Sequence, residues 1–163
     1  MTTIETRRLV TGADIVGNVL SNTQIGLAAS TLTSPANPTG TTSTTAVMMG
    51  LAIAFTPSKT GIVKISITGL ASNATAADGA TAQIAYGTGT APANGAAKTG
   101  TVEGSLLSVL SSAAAQNQAI AMMARVSGLT VGTAIWVDLQ VAAVTGGTSS
   151  VTNLTVVIEE LLA

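Results

Sequence analysis

Four stretches of this chain alternate apolar and polar side chains with a period of two. In GIVKISITGL (61–70), Val63, Ile65 and Ile67 alternate with Lys64, Ser66 and Thr68. QAIAMMARVSGL (118–129) sets Ile120, Met122, Ala124 and Val126 opposite Met123 and Arg125. TAIWVDLQVAAV (133–144) sets Ile135, Val137, Leu139 and Val141 against Trp136, Asp138 and Gln140. In VTNLTVVIEEL (151–161), Leu154, Val156 and Ile158 oppose Thr155, Val157 and Glu159. Successive side chains of a strand point to opposite faces, so each run predicts a strand with one buried face. Turn chemistry separates the runs: Pro57 to Gly61, Ala77-Asp78-Gly79, Gly128 to Gly132, and Thr145 to Thr148. Seven or eight such strands without a helical period predict an all-β fold, an antiparallel sandwich or jelly roll. SLLSVLSSAAAQNQ (105–118) reads as strand followed by loop, although its alanines also fit a helical turn.

A chain of 163 residues fits one domain plus an arm. The material for its core and surface is unusual. Phe55, Tyr86 and Trp136 are the whole aromatic supply, and charged residues make up 8%, against about 25% in an average soluble domain. A solitary protein keeps its surface soluble with interspersed charge. A surface this poor in charge is either covered or coated with Thr and Ser hydroxyls, and both point to a protein that works assembled. Two methionine doublets, Met48-Met49 and Met122-Met123, fall on predicted strands. Met fills irregular gaps, and in an oligomer one member of each doublet would face the interior and the other a neighbouring subunit.

Three zones are expected. Residues 1–30 hold Glu5, Arg7, Arg8 and Asp14 and read as an extended N-terminal arm, either a docking arm for an acidic partner surface or a solvated tail. Residues 31–45, TLTSPANPTGTTSTT, read as a Pro/Thr/Ser-rich linker, and 46–163 as the strand-built domain, which the resemblance given below makes a jelly-roll trimerisation domain. YGTGTAPANGAAKTGT (86–101) cannot sit in a ladder and is expected to be a long exposed connection projecting from one end of the sandwich.

Catalytic constellations are missing from the sequence. There is no histidine and no cysteine, which removes the commonest general base, thiolate nucleophiles and zinc sites. Glu159 and Glu160 are neighbours in a strand and point to opposite faces, so they cannot act as an acid/base couple. Asp78-Gly79 lacks the further carboxylates of a calcium loop, and GTGTAPANG lacks the Lys-Ser pair and helix start of a phosphate cradle. No enzyme activity, cofactor or metal is expected. Arg7-Arg8 is too small a basic group for nucleic acid. The longest apolar run, AVMMGLAIAF (46–55), is too short to span a bilayer, and no continuous apolar run follows Arg7-Arg8 as in a signal peptide. Trp136 and Tyr86 offer rings that could stack on a sugar, or fill the core or a subunit contact.

Three pieces carry a family resemblance: DGATAQIAYGTGTAPANGA (78–96), GLTVGTAIWVDL (128–139) and VTGGTSSVTN (144–153). With the segments between them, over about residues 37–161, they resemble a β-domain of tailed-bacteriophage virion proteins. That family is a trimeric jelly roll of the tumour-necrosis-factor type, found in capsid decoration proteins, head fibres and tail-fibre tips. The resemblance implies a homotrimer, a virion location on the capsid surface after synthesis in the host cytoplasm, and no catalytic residues. It leaves residues 1–36 unaccounted for. The expected role is therefore a capsid decoration protein that docks on the major capsid protein through its arm, using Ile4, Arg7, Arg8, Leu9, Val10 and Asp14. The alternative is a tail-fibre tip or receptor-binding module for a host surface glycan, carried by the outer loops with Trp136 or Tyr86.

Overall fold

The computed structural model describes residues 29–162. They form nine strands: β1 (Ser30–Thr33), β2 (Val47–Met48), β3 (Ile53–Phe55), β4 (Val63–Asn73), β5 (Asp78–Thr88), β6 (Thr101–Ser111), β7 (Gln118–Val126), β8 (Ile135–Ala143) and β9 (Ser149–Glu160). There is no helix among the described residues. All pairings are antiparallel, in two sheets ordered β1-β9-β4-β7 and β2-β8-β5-β6, with β3 also on β8. Chain neighbours such as β4 and β5 lie in different sheets, the crossing pattern of a jelly roll. The helical alternative for 105–118 is gone: β6 runs through Ser111, and a turn at 112–117 leads into β7.

The predicted apolar faces meet between the sheets. Val63, Ile65 and Ile67 of β4, Ile120, Met122, Ala124 and Val126 of β7, and Leu154, Val156 and Ile158 of β9 line one side. Ala80, Ala82 and Ile84 of β5 and Ile135, Val137, Leu139 and Val141 of β8 line the other. The alternation is interrupted where Thr68 pairs Thr155 but Leu70 pairs Thr152, a bulge opposite Asn153. Gly69 sits there for space, since a Cβ would come 2.7 Å from Leu154 Cδ2 and 2.9 Å from the Thr152 carbonyl oxygen.

Four expectations need correction. First, 31–45 is not a free linker and the sandwich does not begin at 46. Ser30–Thr33 pairs with Glu159–Val156, and Thr41 bridges Ser149, because the long β9 would otherwise present an unpaired edge. Second, β8 is buried on both faces, not one. Third, Asp78 and Gly79 open β5, and the turn precedes them at 74–77. Fourth, the connection after β5 does not project. Residues 89–100 fold back over the outer face of β8: Met48 N–H donates to the Ala96 carbonyl (2.9 Å) and Gly95 N–H to the Met48 carbonyl (2.8 Å). The Asn94 amide donates to the Thr39 and Met49 carbonyls.

Candidate functional site

The folded-back connection creates a second, smaller core outside the sandwich. Met48, Ala85 and Trp136 are buried together, with Ala91 and Ala96 of the connection packed on them. The Trp136 indole N–H donates to the Thr88 carbonyl at 3.2 Å. Trp136 is 5% exposed and Tyr86 packs against the main core, so neither ring is presented for stacking on a sugar. The methionine doublets divide. Met122 is in the core and Met123 is 65% exposed, but Met48 and Met49 are both buried within the same chain, so Met48 faces no neighbouring subunit.

Three of the acids are bound to backbone amides. The Glu160 carboxylate accepts N–H bonds from Thr60 (2.6 Å), Lys59 (2.7 Å) and Ser58 (2.8 Å), and from Ala29 at 3.3 Å. Burial pushes this carboxyl up, but the Thr60, Ser58 and Lys59 donors outweigh burial and hold it far below the usual carboxylate range. Asp78 accepts from Thr145, Gly79 and Gly146, and ties the 74–77 turn to the β8–β9 turn. Burial raises its carboxyl, and those amides more than reverse the effect. Asp138 lies under the β2–β3 turn and accepts from Leu51 (2.9 Å), Leu139 (2.7 Å) and Gly50 (2.9 Å). Here burial wins, and the carboxyl is pushed up. Glu159 pairs with Lys64 across β9 and β4. Among the described residues, no group of three or more His, Cys, Asp or Glu is placed to hold a metal ion.

Two surface features bear on function. The first is apolar. Leu32, Val157, Ser66 and Met123 form one cross-strand row on the outside of the β1-β9-β4-β7 sheet, with Leu32 71% exposed. Leu106 stands beside this row, 61% exposed. It is pushed out where Ala82 pairs Leu107 but Ile84 pairs Glu103, a bulge in β6. Gly104, at φ 76°, lets the bulge close onto β7, since a Cβ there would meet the Met123 carbonyl oxygen at 2.6 Å. The seam between β6 and β7 is a cleft of about 250 Å³ lined by Ser105, Leu106, Leu107, Ala121, Met122 and Met123.

The second feature is polar and lies on the other sheet. Gln83, Lys98, Thr99, Gly100, Val102 and Gln140 line a cleft of about 330 Å³. Its floor is the outer face of β5 and β8, where Gln83 and Gln140 are register partners. Its wall is the end of the folded-back connection. Period two placed Gln140 on the face opposite the core, but the wall comes from tertiary folding. The capsid-docking set Ile4, Arg7, Arg8, Leu9, Val10 and Asp14 lies outside the described residues.

No family model matches the chain, and no curated protein matches it in sequence. Among solved structures, it is similar to Eiger TNF from S. frugiperda, with 6% identity over 83% of this chain and 94% of that one, at a TM-score of 0.44. The jelly roll is read from the strand order itself.

Proposed function

We propose that the protein is a structural component of a bacteriophage virion: a homotrimeric jelly roll on the capsid surface, held to the major capsid protein by residues 1–28. The observation that carries the assembled state is the row Leu32–Val157–Ser66–Met123 with Leu106 beside it. Exposed Leu32, Met123 and Leu106, with half-buried Val157 and the uncharged Ser66 between them, on a chain with 8% charged residues favour burial against further copies. A closed cyclic arrangement would cover it on every subunit. The family resemblance over about residues 37–161 supports the virion role and the number three. Ala29 N–H binds the Glu160 carboxylate, which fixes the residue that follows the proposed arm on the sandwich.

The test uses the full chain and a variant lacking residues 1–28, which keeps Ala29 and β1. Sedimentation equilibrium should give three times the respective chain mass for each, the full chain being 15.9 kDa. Only the full chain should co-sediment with capsids. A monomer at micromolar concentration would remove the assembly reading, and truncated trimers that still decorate capsids would remove the arm.

A further inference from the structure

We infer that the cleft between the β5–β8 outer face and the 98–100 segment binds a sugar unit that carries a carboxylate. Gln140 is 7% exposed, and its amide nitrogen donates to Gln83 Oε1 at 3.3 Å. Gln83 Nε2 in turn donates to the Gly104 carbonyl at 2.9 Å, which fixes the pair in orientation. Among the described residues nothing donates to Gln140 Oε1, yet no fully buried side-chain nitrogen or oxygen lacks a partner. Gln140 lines the cleft, where its oxygen, bonded to none of the described residues, is an acceptor next to the unspent hydrogen of its own NH₂ group. A fixed acceptor and donor side by side match neighbouring sugar hydroxyls.

Lys98 on the wall makes no ion pair among the described residues, and no carboxylate lines the cleft. An anionic group entering beside Lys98 meets an opposite charge, while Asp138, the next residue on this face of β8, is buried with its carboxyl held by the Gly50 and Leu51 amides. Thr99 adds a hydroxyl and Val102, 44% exposed, a small apolar rim. The lining is too polar for a lipid chain. With one lysine and no arginine, it is also too weakly charged for a polyphosphate. The volume lies at the lower end for small-molecule sites, which suits one or two rings. The cleft is on the sheet opposite the apolar row, so it stands or falls independently of the proposed trimer.

Trp136 supplies the probe. It is the one tryptophan of the chain, and its ring edge lies under the cleft wall, where a Cβ on Gly100 would come 2.4 Å from Cη2. The full chain is titrated with methyl glucuronide, methyl glucoside and acetate, following Trp136 fluorescence and saturation-transfer NMR of the ligand. Glucuronide should saturate with Kd on the order of 1 mM, as expected for so small a ligand in an open cleft. Glucoside and acetate should each bind about tenfold more weakly. Lys98→Met should lower glucuronide affinity about tenfold and leave glucoside unchanged, because only the charge-assisted contact is lost. Gln140→Glu should weaken both sugars while leaving the fold intact by circular dichroism.

Three results would overturn the inference: no saturable signal with glucuronide by either readout, acetate competing as well as glucuronide, or Lys98→Met binding glucuronide normally. Sedimentation of the same samples reports the oligomeric state separately, so a monomer that binds glucuronide would sink the trimer and keep the cleft.

Discussion

Trp136 packs against Gly87, its register partner across β8 and β5, so closely that a Cβ on Gly87 would come 2.5 Å from Cζ2 of the indole. Gly87 is needed here for space rather than for a positive φ. Gly87→Ala should displace the ring and cost about 1–3 kcal/mol, the usual range for overpacking. Urea unfolding at fixed protein concentration measures the loss. A red shift of tryptophan emission in the folded variant would show that the ring has moved towards water.

The Glu160 carboxylate holds three separated segments: Ala29, the Ser58–Gly61 turn and the end of β9. Glu160→Gln replaces one acceptor oxygen with a donor that faces backbone N–H groups, and should cost about 2–4 kcal/mol.

The same group sets an acid dependence. Its carboxyl is depressed in the folded state, so its stabilisation is complete above the ordinary value of 4.5 and is lost as pH falls below it. Asp78, also depressed, acts in the same direction below its ordinary 3.8, while the raised Asp138 opposes both. Denaturation midpoints measured from pH 7 to pH 2 should fall for the wild type, and fall less steeply for Glu160→Gln.

Asn73 is fully buried, and its amide donates to the Gly79 and Gly146 carbonyls and to Ser149 Oγ, while its oxygen accepts from Thr75 N–H. Asn73→Ala strands several buried polar groups at once and should cost about 3 kcal/mol or more. Thermal unfolding against the wild type at equal concentration checks this.

The 89–100 connection should behave as ordered structure in hydrogen exchange despite its glycines. Met48, Gly95 and Ala96 N–H are bonded within the docked arrangement and should be protected. Gly50 has φ 69°, and a Cβ on it would come 2.5 Å from Asn94 N. Gly50→Ala should therefore undock the connection and remove protection at those amides while β4, β7 and β9 stay protected.

Met123→Glu tests the apolar row. The side chain is 65% exposed, so folding should tolerate the change within about 0.5 kcal/mol. A carboxylate buried in each copy of a contact would oppose association. Sedimentation should shift from trimer to monomer with unchanged circular dichroism.

Period two alone decided which side chains of β4, β7 and β9 face inward, because the pleat of a strand ties sequence parity to sheet face. It placed Val63, Ile65 and Ile67, and likewise Leu154, Val156 and Ile158, where the structure has them. What lies over the other face is not encoded in parity. Trp136, Asp138 and Gln140 read as an outward set and are nevertheless buried, since segments distant in the chain close over them. One such closure is the Asn94 amide on the Met49 carbonyl, 45 residues away. The same holds for Glu160, whose partners lie some hundred residues upstream, and for Ser30–Thr33, whose strand pairing depends on an edge of β9 that local composition cannot reveal. Local alternation determined the sandwich and its core. Long-range hydrogen bonding decided which outer surfaces stay open, and so left the polar cleft on one sheet and the apolar row on the other.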